Sequence, residues 1–179
     1  LQKGADRILA IEKDAIAARF CRSNLISITS HLERKTYINV IKDDVLKFLV
    51  KGFQSSHLVT KNNLSNSRFD FVYIDPPYES ELYSSVLLNL LKGEWVKRNA
   101  IVICEYSSKS NLSVEQKWQE IDRRNYGKSS LLLVTPPKSY FYDIDSMQQQ
   151  TSQELLQGPT LKQFHKEEVQ SFSRTNRRY

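Results

Sequence analysis

Apolar residues in this chain fall into short runs separated by polar turns, and the runs switch between two periods. Ile8–Ile11, bounded by Arg7 and Glu12, is an apolar block short enough to read as a buried strand. After Asp14, a suitable helix N-cap, the positions Ala15, Ala18, Cys21 and Leu25 recur at helical spacing, with Arg22 the exception on that stripe. Tyr37–Ile41 alternates and is rich in β-formers, predicting a second strand that leads into Asp43 and Asp44. Val45–Val50 reads as a short helix ending at Gly52. Phe69–Ile74 is a strong strand signal, stopped abruptly by Asp75-Pro76-Pro77. Glu81–Leu91 carries apolar residues at 82, 86, 87, 90 and 91, an amphipathic helix with Gly93 just beyond it. Ala100–Cys104 predicts another buried strand and Val114–Ile121 a short helix. Asp122–Tyr126 and Ser130–Val134 flank Gly127 as a hairpin.

Strands alternating with helices at this spacing predict an α/β fold whose parallel-rich sheet carries helices on both faces and ends in an antiparallel hairpin. Ligands of such sheets bind beyond the carboxyl ends of the strands. That rule selects Glu12, the pair Asp43 and Asp44, and Asp75 onward, each directly after a predicted strand. Residues 54–67 are polar and rich in Asn and Ser, a surface loop. From Pro136 the composition turns to Gln, Ser and charge. The expected organisation is therefore a domain over 1–135 and a loosely ordered tail over 136–179, with one short helix near 161–170.

Asp75-Pro76-Pro77-Tyr78 is the most specific signal in the chain. Its bland reading is a strand stopped by prolines, with Tyr78 covering the core. Its chemical reading starts from the exocyclic amine of a nucleobase, a poor nucleophile because its lone pair is delocalised into the ring. A carboxylate and a backbone carbonyl that accept the two amino hydrogens draw that nitrogen toward tetrahedral geometry and aim its lone pair. Asp75 can supply the carboxylate and Pro76 the carbonyl, while the fixed φ of Pro76 and Pro77 holds that carbonyl away from the sheet ladder. Tyr78 then offers a ring on which an extruded base can stack.

Composition narrows the picture further. Forty per cent of the 179 residues are hydrophobic, which excludes global disorder, and the net charge of +6 favours a polyanionic partner. No apolar run reaches the roughly 20 residues of a membrane span, and the opening residues are no signal peptide. Cys21 and Cys104 form no CxxC and read as small buried residues of a reducing compartment. His31, His57 and His165 do not cluster with acids or cysteines, so no metal site is expected. Arg123, Arg124 and Lys128, around the hairpin, are candidates for RNA phosphates or simply a solvated basic turn.

FDFVYIDPPY resembles the catalytic motif of Rossmann-like class I amino-methyltransferases. The flanking stretches KGADRILAIEKD, VIKDDVLKFL and RRNYGKSSLLLV make residues 1–135 similar to the bacterial small-subunit (16S) ribosomal RNA guanine-N2 methyltransferases of the RsmD type. The resemblance implies S-adenosylmethionine as cofactor. Glu12 would take its ribose hydroxyls, and Asp44 its adenine amino group, with Asp43 the adjacent competitor. Val45 would offer a backbone N–H to the adenine ring. Taken alone, Glu12 could be a solvated residue, and either Asp43 or Asp44 the cap of the following helix.

The resemblance also places a first strand and a glycine-rich cofactor loop upstream of Leu1, so both are expected to be missing here. It implies ribosomal RNA or the small ribosomal subunit as partner, a monomer, and a cytoplasmic location in a bacterium or a plastid. Two alternatives stay open at this point: a DNA adenine-N6 or cytosine-N4 methyltransferase, which shares the tetrapeptide, and a non-enzymatic RNA-binding remnant.

Overall fold

The computed structural model describes residues 4–31, 36–53, 68–77, 82–114 and 118–141. The chain divides after Pro136 into two units, each taken by itself. The expected loop at 54–67, the tail helix near 161–170, Tyr78, His57 and His165 lie outside the described residues.

The first pair of strands is β1, Arg7–Glu12, parallel to β2, Tyr37–Lys42, in the register Arg7 to Tyr37 through Glu12 to Lys42. They are joined through helix α1, Ala15–Thr29, which Asp14 caps by accepting from the N–H groups of Ile16 and Ala17 at 2.9 and 2.8 Å. Arg22 interrupts the apolar stripe because its guanidinium reaches β2, donating to the Val40 carbonyl at 2.6 Å. β1 is half-buried along its whole length, against the expectation of a buried strand, and Cys21 is half-buried where burial was expected. Both follow from thin cover, since among the described residues β1 pairs only with β2 and α1 buries Ala18 alone.

The second sheet holds four strands in the order β3-β4-β6-β5. These are β3, Phe69–Ile74; β4, Val96–Ser107; β5, Gln119–Tyr126; and β6, Ser129–Thr135. β3 and β4 run parallel, while β6 lies antiparallel between β4 and β5. Gly127, at φ 62°, makes the tight turn between β5 and β6. Helix α3, Leu82–Lys92, packs on β4 and buries Tyr83, Val86, Leu87, Leu90 and Leu91. Beneath it the sheet buries Val102, Cys104, Leu132 and Val134 completely.

Two elements differ from the sequence reading. The helix expected over Val114–Ile121 is not formed at its C-terminal end, where residues 119–121 belong to β5; residues 115–117 are outside the described set. The ladder steps from Glu120 opposite Val134 to Asp122 opposite Leu133, so Ile121 is the extra residue of a bulge and its side chain is exposed. A bulge breaks the period of two, which left Ile121 looking helical. β4 begins at Val96 rather than Ala100, because the polar run Lys97-Arg98-Asn99 occupies an irregular stretch of the β3–β4 ladder.

Helix α2, Val45–Val50, and the turn after α3 join the N-terminal ends of the two sheets through an aromatic cluster. Trp95 packs at a tilt against Phe48 and edge-to-face against Phe53, with centroids 5.1 and 5.5 Å apart, and its indole N–H donates to the Leu49 carbonyl at 2.9 Å. The Arg7 guanidinium lies 4.5 Å from the Phe69 ring centroid, tying the start of β1 to the start of β3.

Candidate active site

The carboxyl ends of the parallel strands carry the residues selected from the sequence, in two groups. At the end of β1, the Glu12 carboxylate accepts from the Asp14 N–H at 2.8 Å, and the Asp43 N–H donates to the Glu12 carbonyl at 3.1 Å. Glu12 therefore supports the turn into α1 with one oxygen, and its carboxylate keeps further acceptor capacity. Asp44 is the N-cap of α2, accepting from Leu46 and Lys47 at 3.0 and 3.2 Å. Those backbone donors, Lys47 first, hold its carboxyl below the usual range against some desolvation. Asp43 is committed elsewhere: it accepts from the Asp44 N–H at 2.8 Å and pairs with Lys51 at 3.1 Å, and the Lys51 bond lowers its pKa first.

Lys13 reaches to 3.7 Å from Asp44, linking the turn after β1 to the head of α2. Val45 opens α2, where a helix leaves its first N–H groups without internal partners. Asp44 takes those of Leu46 and Lys47, and no described residue accepts from Val45.

At the end of β3, Asp75 is exposed, Pro76 half-buried and Pro77 exposed. Partial burial, then the neighbouring charge of Glu105, pushes the Asp75 carboxyl above the usual aspartate value. Glu105 was not among the residues singled out from the sequence. It directly follows Cys104, the expected end of a strand, so the strand-end rule that selected Asp75 also reaches it. The register sets Ile74 against Cys104, which brings Asp75, just past the end of β3, level with Glu105 in β4. The Tyr73 hydroxyl donates to the Glu105 carboxylate, and the Tyr83 hydroxyl to its backbone carbonyl at 2.6 Å.

Both arginines of the hairpin are already engaged within the chain. Arg123 donates to Glu120 at 2.8 Å, to the Tyr106 hydroxyl at 2.7 Å and to the Leu112 carbonyl at 3.1 Å. Its pKa is raised, chiefly by Glu120. Arg124 pairs with Asp122 at 2.6 Å. Lys128 is exposed.

A family model described as conserved hypothetical protein 95 matches residues 1–135. The chain belongs to this family. The resemblance carried by FDFVYIDPPY and its flanks, to RsmD-type methyltransferases, is borne out by the relatives. An uncharacterized methylase of Rickettsia prowazekii is 35% identical over 139 residues, covering 73% of this chain and 59% of the relative. The ribosomal RNA small subunit methyltransferase D of Buchnera aphidicola is 26% identical, covering 62% of this chain and 56% of the relative. The chain thus spans less than two thirds of the length of either. A solved structure of a candidate methylase from Haemophilus influenzae superposes with a TM-score of 0.57 at 20% identity, covering 76% of each chain. The fold is that of a class I methyltransferase, as the sequence led us to expect.

Proposed function

We propose that this chain is the catalytic domain of an S-adenosylmethionine-dependent methyltransferase acting on the exocyclic N2 amine of a guanine in small-subunit ribosomal RNA. The observation that carries the reading is the position of Asp75-Pro76-Pro77 at the carboxyl end of β3 in this fold, with Asp75 beside Glu105. The donor set at the neighbouring strand ends fits the cofactor's adenosine half. The Glu12 carboxylate suits two vicinal ribose hydroxyls, the Asp44 carboxylate an amino group, and the Val45 N–H a ring nitrogen. When bound, S-adenosylmethionine supplies an electrophilic methyl group.

The chain's own residues then do three things. Asp75 accepts one amino hydrogen and the Pro76 carbonyl the other, which localises the nitrogen lone pair. Asp75 also stands ready for the proton, which becomes acidic only as the nitrogen takes up its fourth bond. Tyr78 is assigned to stacking on the base. The partner proposed is ribosomal RNA or the small ribosomal subunit, consistent with the net charge of +6, and the place of action the cytoplasm.

Radiolabelled S-adenosylmethionine, incubated with the full encoded protein and unmethylated small-subunit rRNA, assembled small subunits or duplex DNA, tests this directly. Label entering the RNA or the subunit supports the reading. Label entering only DNA would assign the tetrapeptide to a DNA amino-methyltransferase, and cofactor-independent RNA binding without transfer to a non-enzymatic role.

A further inference from the structure

Asp75 and the Pro76 carbonyl explain how an amine is held, yet they suit the amines of guanine, adenine and cytosine equally. What distinguishes guanine is the neighbouring ring atom. Beside its N2 amine, N1 carries a hydrogen, whereas the ring nitrogen beside the amine of adenine or cytosine presents a lone pair. A second carboxylate next to Asp75 would accept the first and repel the second.

Glu105 is such a group. Register and alternation put Tyr73, Asp75, Ile103 and Glu105 on one face of the β3–β4 pair, the face opposite the fully buried Val102 and Cys104. Its backbone is fixed by the Tyr83 hydroxyl at 2.6 Å, and Tyr83, in the first turn of α3, is itself buried. Its carboxylate is oriented by the Tyr73 hydroxyl. Tyr73 occupies one acceptor position of a carboxylate that offers about four. The charge of Glu105 is felt at Asp75, whose proton affinity it raises. Such fixed placement is what discrimination between bases requires, because a site built to accept a substrate N–H rejects an analogue lacking it.

Resting on the proposed reaction, we infer that Glu105 is the specificity-determining residue of this site, accepting the N1–H of guanine while Asp75 holds the adjacent amine. Tyr73 is its positioning residue.

The test uses 2-aminopurine, which keeps the 2-amino group but carries a lone pair at N1. The full encoded protein is first given small-subunit rRNA, and the methylated nucleoside is identified. A short RNA bearing that guanosine is then compared with one bearing 2-aminopurine in its place, in single turnovers. The wild type should prefer guanine by on the order of 100-fold or more. Glu105→Gln, whose amide can donate to a bare N1, should narrow that ratio about tenfold or more, with S-adenosylhomocysteine affinity unchanged within about twofold. Tyr73→Phe should narrow it less, and it decides the matter if the Gln variant does not fold.

An unchanged ratio in a folded variant, with methylguanine still formed, overturns the role of Glu105 and leaves the proposed reaction standing. Methyl transfer by the wild type to another base, or to none, overturns the proposed reaction and this inference with it.

Discussion

In the proposed reaction Asp75 receives the amine, and its own charge is unfavourable in the folded state. Its carboxyl titrates above the usual aspartate value because of partial burial and Glu105, so the ionised form is disfavoured in the folded state. The sign follows: the folded protein holds the proton more tightly than the unfolded chain, and stability falls as pH rises through the folded pKa. Asp75→Asn should therefore melt slightly above the wild type at neutral pH, and the gap should close on acidification through the carboxylate range. The same variant should lose methyl transfer by orders of magnitude while S-adenosylhomocysteine binding, followed by calorimetry, changes little. Wild-type transfer should fall on the acid side as Asp75 takes up its proton. Glu12→Ala should behave oppositely. Two charge-assisted hydrogen bonds to a ribose, each about 1.5–3 kcal/mol, correspond to a tenfold or larger loss of cofactor affinity, and an unchanged dissociation constant removes Glu12 from the site.

Among the elements, the turn between α3 and β4 leaves no room at Gly93 for a side chain. A Cβ on Gly93 would meet the Trp95 indole at 2.5 and 2.7 Å and the Leu49 carbonyl at 2.9 Å, the very atoms that hydrogen-bond each other. Gly93→Ala should cost about 1–3 kcal/mol of unfolding free energy, read in urea melts, because neither a buried indole nor a backbone carbonyl can yield cheaply. Local chemistry is what the sequence displayed best at this scale. Asp14 as a cap, the helical stripe ending at Gly93 and the proline stop after Ile74 each depend on residues a few positions apart. Partnership across the sheet was harder to see. Ile121 looked helical because the bulge that expels it exists only against β6, and β4 looked shorter because Lys97-Arg98-Asn99 pair irregularly with β3. Glu105 escaped notice for a related reason, since its significance comes from lying level with Asp75, a register between strands 30 residues apart.

At the scale of the whole molecule, the α/β class followed from the alternation of strands and helices and the terminal hairpin from two strand-like runs flanking Gly127, but the division of the strands into two sheets followed from neither. Among the described residues, β1 and β3 each pair along one edge only, and Phe71 and Tyr73 of β3 are 68% and 58% exposed. Unpaired edges and exposed aromatic faces subtract from a stability that for any domain is only about 5–15 kcal/mol. The chain should therefore unfold at a modest temperature in a thermal melt; a cooperative transition at high temperature would show that these edges and faces are covered.

In the proposed reaction Asp75 presents a guanine N2 amine for methylation. Digestion of small-subunit rRNA to nucleosides after reaction with the full encoded protein, followed by chromatography with mass detection, tests it most directly. N2-methylguanosine is the product expected with the wild type, and its loss is expected with Asp75→Asn. N6-methyladenosine or N4-methylcytidine as the product, or N2-methylguanosine formed equally well by the Asn variant, would contradict the proposed reaction.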